Sequence, residues 1–134
     1  MLELRFAGAW RLVSIVGLLL VLTATMVPAD WIWPEDPNSI LYINDKWLHG
    51  ITFGLLAVWF CGQYAASQYW RVAVGLLAFG ALIEICQRAV SYRSSDLLDL
   101  TADVAGITVG LLIALAGAGG WSLRLESWLQ DQFG

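Results

Sequence analysis

Asp45 and His49 stand four residues apart, a spacing that stacks two side chains one turn above the other on one face of a helix, and Phe53 continues their stripe. Glu84, Gln87 and Arg88 share a second helical face. Asp99 and Asp103 form a third pair four apart, followed by Gly106 and Gly110 at the spacing that lets two helix backbones approach closely. All three groups lie in or beside long apolar runs. A lone carboxylate at mid-helix in hydrocarbon costs about 2.5 to 3.5 kcal/mol on insertion scales, so these acids must face one another, cations or water. Several acids around one imidazole is an arrangement suited to proton transfer or cation binding. The candidate catalytic groups are His49, Glu84 and Asp99. The candidate ligand-binding groups are Asp45, Lys46, Gln87, Arg93 and Asp103, with Lys46 and Arg93 suited to hold an anion by charge-assisted hydrogen bonds. A plainer reading is that the same network only staples helices together. With a single histidine, zinc would need three carboxylates, an uncommon set, and calcium or magnesium would suit the oxygens better. No resident metal and no cofactor is expected. Ser94 and Ser95 lie near the acids, but no strand-turn-helix elbow surrounds them, and Ser95-Asp96 reads as a helix cap.

The elements that position these groups follow from composition. Of 134 residues, 59% are hydrophobic and 13% charged, and the mean hydropathy is +0.69, against roughly 45–50% and 25% in a soluble domain. A soluble globule is excluded. The apolar content suits four spans of roughly 20 residues each. The expected fold is an all-α membrane protein, a four-transmembrane-helix bundle with short loops, forming one integral membrane domain over 1–134. Its spans are expected at about 10–28, 47–66, 70–90 and 100–120. Pro28 ends the first. A cleaved signal peptide is the rival reading of that first run, since Arg5 and Arg11 precede it and Val27-Pro28-Ala29 offers small residues beyond it. Segment 29–44 reads as an outer loop with Trp31, Trp33 and Tyr42 on the headgroups. Residues 121–133 place Trp121, Leu125, Trp128 and Phe133 on one side, an amphipathic helix lying in the membrane interface. Cys61 and Cys86 sit inside apolar runs and read as small buried hydrophobes.

Charge sets the orientation. The side carrying both termini holds Arg5, Arg11, Arg71 and Arg124 against Glu3, Glu126 and Asp131, a balance of +1. The other half holds Lys46, Arg88 and Arg93 against Asp30, Glu35, Asp36, Asp45, Glu84, Asp96, Asp99 and Asp103, a balance of −5. The positive-inside tendency puts both termini in the cytoplasm. Trp10, Trp70 and Trp121 then fall at inner boundaries and Trp31, Trp33 and Trp47 at outer ones, with Trp59 mid-span. Spans two and four start, and span three ends, on the outer side, so the three polar groups lie at one depth and converge. The expected partners are membrane lipids, a lipid-linked or anionic envelope ligand, or a larger membrane complex. The lack of a basic run argues against nucleic acid.

The ordered set Asp45-Lys46-x-x-His49-x-x-x-Phe53, Glu84-x-x-Gln87, Arg93 with Asp99 six residues on, then Gly106 and Gly110 resembles the VanZ-like family of small bacterial membrane proteins. The resemblance covers about Asp45 to Gly110. The family commonly carries asparagine where this chain has Asp103. The resemblance implies a bacterial cytoplasmic membrane protein and a link to the glycopeptide teicoplanin, to which the family's namesake relates through resistance, without implying a mechanism. Two functions follow as expectations. The first is an outer-face site that binds or processes a polar envelope ligand, such as a lipid headgroup or cell-envelope precursor. The second is a non-catalytic accessory or structural subunit of a larger membrane complex.

Overall fold

The computed structural model of the chain describes residues 1–27, 45–90 and 97–133. All regular structure among them is helical: α1 (Ala7–Met26), α2 (Asp45–Gln63), a short 3₁₀ turn (Ala66–Gln68), α3 (Tyr69–Arg88), α4 (Leu97–Ile113) and α5 (Trp121–Phe133). Between α4 and α5 a π-type turn, Ala114–Ala118, widens the helix, and Gly117 at φ 128° and Gly120 at φ 66° adopt left-handed backbone there, so α4 cannot run on into α5. Three segments are long and apolar enough to cross a membrane: Ala7–Met26, Ala66–Arg88 and Leu98–Ala118. The second expected span, about 47–66, corresponds to α2, which is not among them, because Asp45, Lys46 and His49 in its first turns and Gln63 at its end lower its hydropathy. The outer loop with Trp31, Trp33 and Tyr42, and the cap at Ser95, lie outside the described residues.

The most extensive packing joins α2 and α4. It is a contact of backbones. A methyl group on Gly106 would run into the Gly50 carbonyl, one on Gly110 would come within 2.6 Å of the Ala57 Cβ, and one on Gly54 within 3.2 Å of the Gly106 oxygen. Close approach of small residues supplies the van der Waals contact that joins the two helices, the device that helices in lipid use. Gly106 and Gly110 therefore pack inside the chain, and their counterparts are Gly50 and Gly54. Around this pair, Phe53, Ala57, Cys61, Val72, Leu76, Ile83 and Ile107 form the apolar core. Helix α3 packs on both α2 and α4, and α1 lies mainly against α3.

The two ends of the bundle are fastened differently. At the end where α1 starts and α2 finishes, Trp59 Nε1 donates to Ser14 Oγ at 2.9 Å, and Gln63 Nε2 donates to the same oxygen at 3.1 Å. Trp10, Trp59 and Trp121 pack as a trio with ring centroids 5.2 to 5.7 Å apart. Trp59 thus joins the two tryptophans expected at a boundary, because α2 finishes at Gln63, one turn beyond it. Glu126 of α5 accepts hydrogen bonds from the Arg5 and Phe6 backbone N–H groups, at 2.8 and 3.1 Å, and from Trp10 Nε1 at 2.7 Å. The first helical N–H groups lack intrahelical acceptors, so a carboxylate from the far end of the chain caps the start of α1. Burial alone would push the Glu126 pKa up; the hydrogen bonds from Trp10, Phe6 and Arg5, with the Arg5 charge, outweigh it and hold the carboxyl below its ordinary value of 4.5.

The α5 helix falls at the expected residues, but its inward face differs from its apolar stripe. Ser122 and Glu126 are the buried positions, with Ser122 Oγ bonded to the Gly62 carbonyl, while Leu125 and Trp128 are exposed. Of the apolar stripe, Trp121 packs inward on Trp10 and Trp59, whereas Leu125 and Trp128 point away from the bundle. The Phe133 side chain lies outside the described residues.

Candidate functional site

At the opposite end of the bundle, α2 begins, α3 finishes and α4 begins, and the polar groups of all three meet. His49, Glu84, Gln87, Asp99 and Asp103 are each at most 4% exposed. His49 Nδ1 stands 2.9 Å from Asp103 Oδ1, joining α2 to α4. Lys46 Nζ stands 3.9 Å from Asp99 Oδ1, with its side chain 39% exposed. His49, Glu84 and Asp99 each offer one donor atom within 4.8 Å of the other two. Helix α1 closes the group from the side, where Gln87 Nε2 donates to the Thr25 carbonyl at 3.1 Å.

The local sequence explains the arrangement. His49 and Asp103 lie one residue before Gly50 and three before Gly106, so the backbone contact of the two glycines sets the distance between the imidazole and the carboxylate. Asp103 is fully buried, and it fits because Gly80 of α3 lies opposite: a methyl group there would come within 2.5 Å of Asp103 Oδ2 and 3.3 Å of Phe53 Cζ. The Phe53 ring runs parallel to the His49 ring, centroids 6.4 Å apart, and touches Phe79 beyond it, centroids 6.1 Å apart. These two rings form an apolar floor beneath the polar group. Below the floor a separate cavity of about 400 Å³ is lined by Leu18, Phe60, Tyr64, Arg71, Leu76 and Phe79, among others.

The electrostatics are unbalanced. Both Glu84 carboxylate oxygens, Gln87 Oε1 and Asp103 Oδ2 are buried with no hydrogen-bond partner among the described residues. Buried polar atoms are otherwise nearly always paired, and an unpaired one costs about 1 to 3 kcal/mol, more when charged. Three carboxyl groups also crowd within one cluster. Lys46 offsets part of that charge, and a proton or a bound cation would relieve the rest.

Of the residues singled out by spacing, His49, Glu84, Gln87, Asp99, Asp103 and Lys46 are brought together. Arg93 and the Asp45 side chain lie outside the described residues. His49 meets Asp103 from another helix, a contact that the spacing of Asp45 and His49 does not report. Lys46, expected to hold an anionic ligand, also stands beside Asp99. Gly50, Gly54 and Gly80 were missed as supports of the site. Gly50 and Gly54 repeat the four-residue spacing of Gly106 and Gly110, a signal that was present; Gly80 has none. A family model described as VanZ/LLP1 matches residues 9–118. Neither a curated protein nor a solved structure matches the chain.

Proposed function

The chain belongs to the VanZ/LLP1 family, and from that premise we propose that it is a four-span protein of the bacterial cytoplasmic membrane whose buried polar cluster binds, and transfers protons to or from, the polar head of an envelope lipid or precursor. In this reading α2 is the fourth span, both termini are cytoplasmic, and α5 lies in the inner interface with Leu125 and Trp128 in the lipid. The cluster then sits in the outer half of the membrane. His49, Glu84 and Asp99 handle protons or a cation, while Lys46, Gln87 and Arg93 contact the ligand. The observation that carries the reading is Glu84: a carboxyl group at 4% exposure, in a cluster supplied by three helices, with neither oxygen hydrogen-bonded among the described residues. A staple uses its carboxylates to make bonds. Ionisable groups inside a membrane are costly and are functional by default.

Native mass spectrometry of the full chain in mild detergent tests this. The expected result is a bound lipid on the wild type that Glu84→Gln, which preserves volume and hydrogen-bonding capacity, no longer retains. Equal lipid retention by Glu84→Gln would refute the role. The accessory-subunit reading draws on α1, only 6% of whose apolar window is buried within the chain, leaving Leu12, Ile15, Leu19 and Leu20 outward. A stoichiometric protein partner, lost on substituting those four residues, would favour it.

A further inference from the structure

We propose that His49, Glu84 and Asp99 form a divalent-cation site, with Asp103 as the positioning residue that holds the imidazole. The inference deepens the proposed function, on which it relies only for what the cation would do to a lipid headgroup.

Three observations carry it. First, the donors come from α2, α3 and α4, are all buried, and lie within 4.8 Å of one another. Bonds of about 2.0 to 2.2 Å set neighbouring ligand atoms roughly 3 to 4 Å apart, so small side-chain rotations close the group on an ion. Second, Glu84 has both oxygens buried with no hydrogen-bond partner among the described residues. Neutralising one carboxyl needs only a proton, but a proton gives no reason for an imidazole and a second carboxylate to stand beside it. Third, Asp103 binds His49 Nδ1 at 2.9 Å and is fully buried. A carboxylate on one ring nitrogen fixes the tautomer that leaves the lone pair on the other, Nε2, which is the usual setting of a metal-ligating histidine.

The donor set selects the ion. Counting acids in the sequence favours calcium or magnesium, but the geometry assigns Asp103 to the imidazole and leaves one nitrogen and two carboxylates. Calcium and magnesium take oxygen ligands, whereas imidazole with carboxylates suits Zn²⁺ or Mn²⁺. Three protein ligands leave coordination positions open. The ion would also reconcile an acidic cluster with an anionic headgroup, since a phosphate could approach a bound cation where it could not approach Glu84 and Asp99 alone.

The test uses the full chain, purified in detergent, stripped with EDTA and dialysed against Zn²⁺, Mn²⁺, Mg²⁺ or Ca²⁺, with metal content measured by mass spectrometry. The expected result is about one equivalent of Zn²⁺ or Mn²⁺ per chain, with a rise in melting temperature. Glu84→Gln should melt like the stripped wild type and take up none. If Glu84→Gln does not fold, Asp99→Asn carries the same expectation. Asp103→Asn should fold and bind about 10- to 100-fold more weakly, while Glu126→Gln, at the other end of the bundle, should bind as the wild type does. No stoichiometric uptake, equal uptake by folded Glu84→Gln, or a preference for Mg²⁺ or Ca²⁺ would overturn the proposal. Wild type that takes up no ion yet loses its lipid on Glu84→Gln would overturn the cation site and leave the proposed function standing.

Discussion

His49 and Asp103 form the most buried ion-pair contact of the site, with side chains 3% and 0% exposed. Removing one partner of such a pair costs about 3 to 5 kcal/mol because the other is left in a medium that cannot solvate it. Asp103→Ala should therefore lower the detergent melting temperature sharply. Asp103→Asn keeps an acceptor oxygen for His49 Nδ1 and should melt within a few degrees of wild type. Lys46 and Asp99 behave differently. The lysine is 39% exposed and 3.9 Å away, so screening leaves Lys46→Ala a cost of about 0 to 1 kcal/mol, which the same melting series checks. Residue types were legible in the sequence, since an acid in an apolar run announces itself. Their partners were not. The spacing of Asp45 and His49 reports only neighbours on one helix, whereas the contact with Asp103 depends on the rotation and register of two helices.

The helices themselves were read from apolar runs to within a few residues, because hydrocarbon solvent and helix length leave little freedom. Which face of each turns inward was harder to read. In water an apolar stripe marks the buried side and in lipid the outer one; α5 buries Ser122 and Glu126 while Leu125 and Trp128 point out. Small residues are the better guide to inner faces. Gly106→Leu should force α2 and α4 apart at Gly50, costing about 1 to 3 kcal/mol from overpacking alone, and lower folded yield. Gly75, which has open space around it, is the matched control: Gly75→Leu should leave yield unchanged. The cap that α5 places on α1 makes a further prediction. Glu126 is held below its ordinary pKa, so its stabilisation is present above the unfolded value and is lost as pH falls through the folded one. Hydrogen exchange of the Arg5 and Phe6 amides should thus be protected at neutral pH and released in acid, and Glu126→Gln should remove that pH dependence.

At the scale of the whole molecule, the alternating course of the chain puts one polar group at each end of the bundle. The one around Ser14, Gln63 and Glu126 is tightly hydrogen-bonded; in the other, the Glu84 oxygens have no hydrogen-bond partner among the described residues. That contrast is what the proposed function builds on. In the proposed topology, drawn from the charge balances of +1 and −5, the fastened end faces the cytoplasm. Reporter fusions after Gly134 and within residues 67–70 should report cytoplasm, and fusions within 34–40 the outside. The central claim is that the second cluster acts on a ligand instead of merely holding helices together, and Glu84→Gln tests it most directly. The side chain keeps its size, so a site predicts wild-type folded yield and the melting temperature of the metal-stripped wild type, together with loss of the cellular phenotype in a deletion strain. Glu84→Gln protein that folds, reaches the membrane and complements the deletion fully would contradict it.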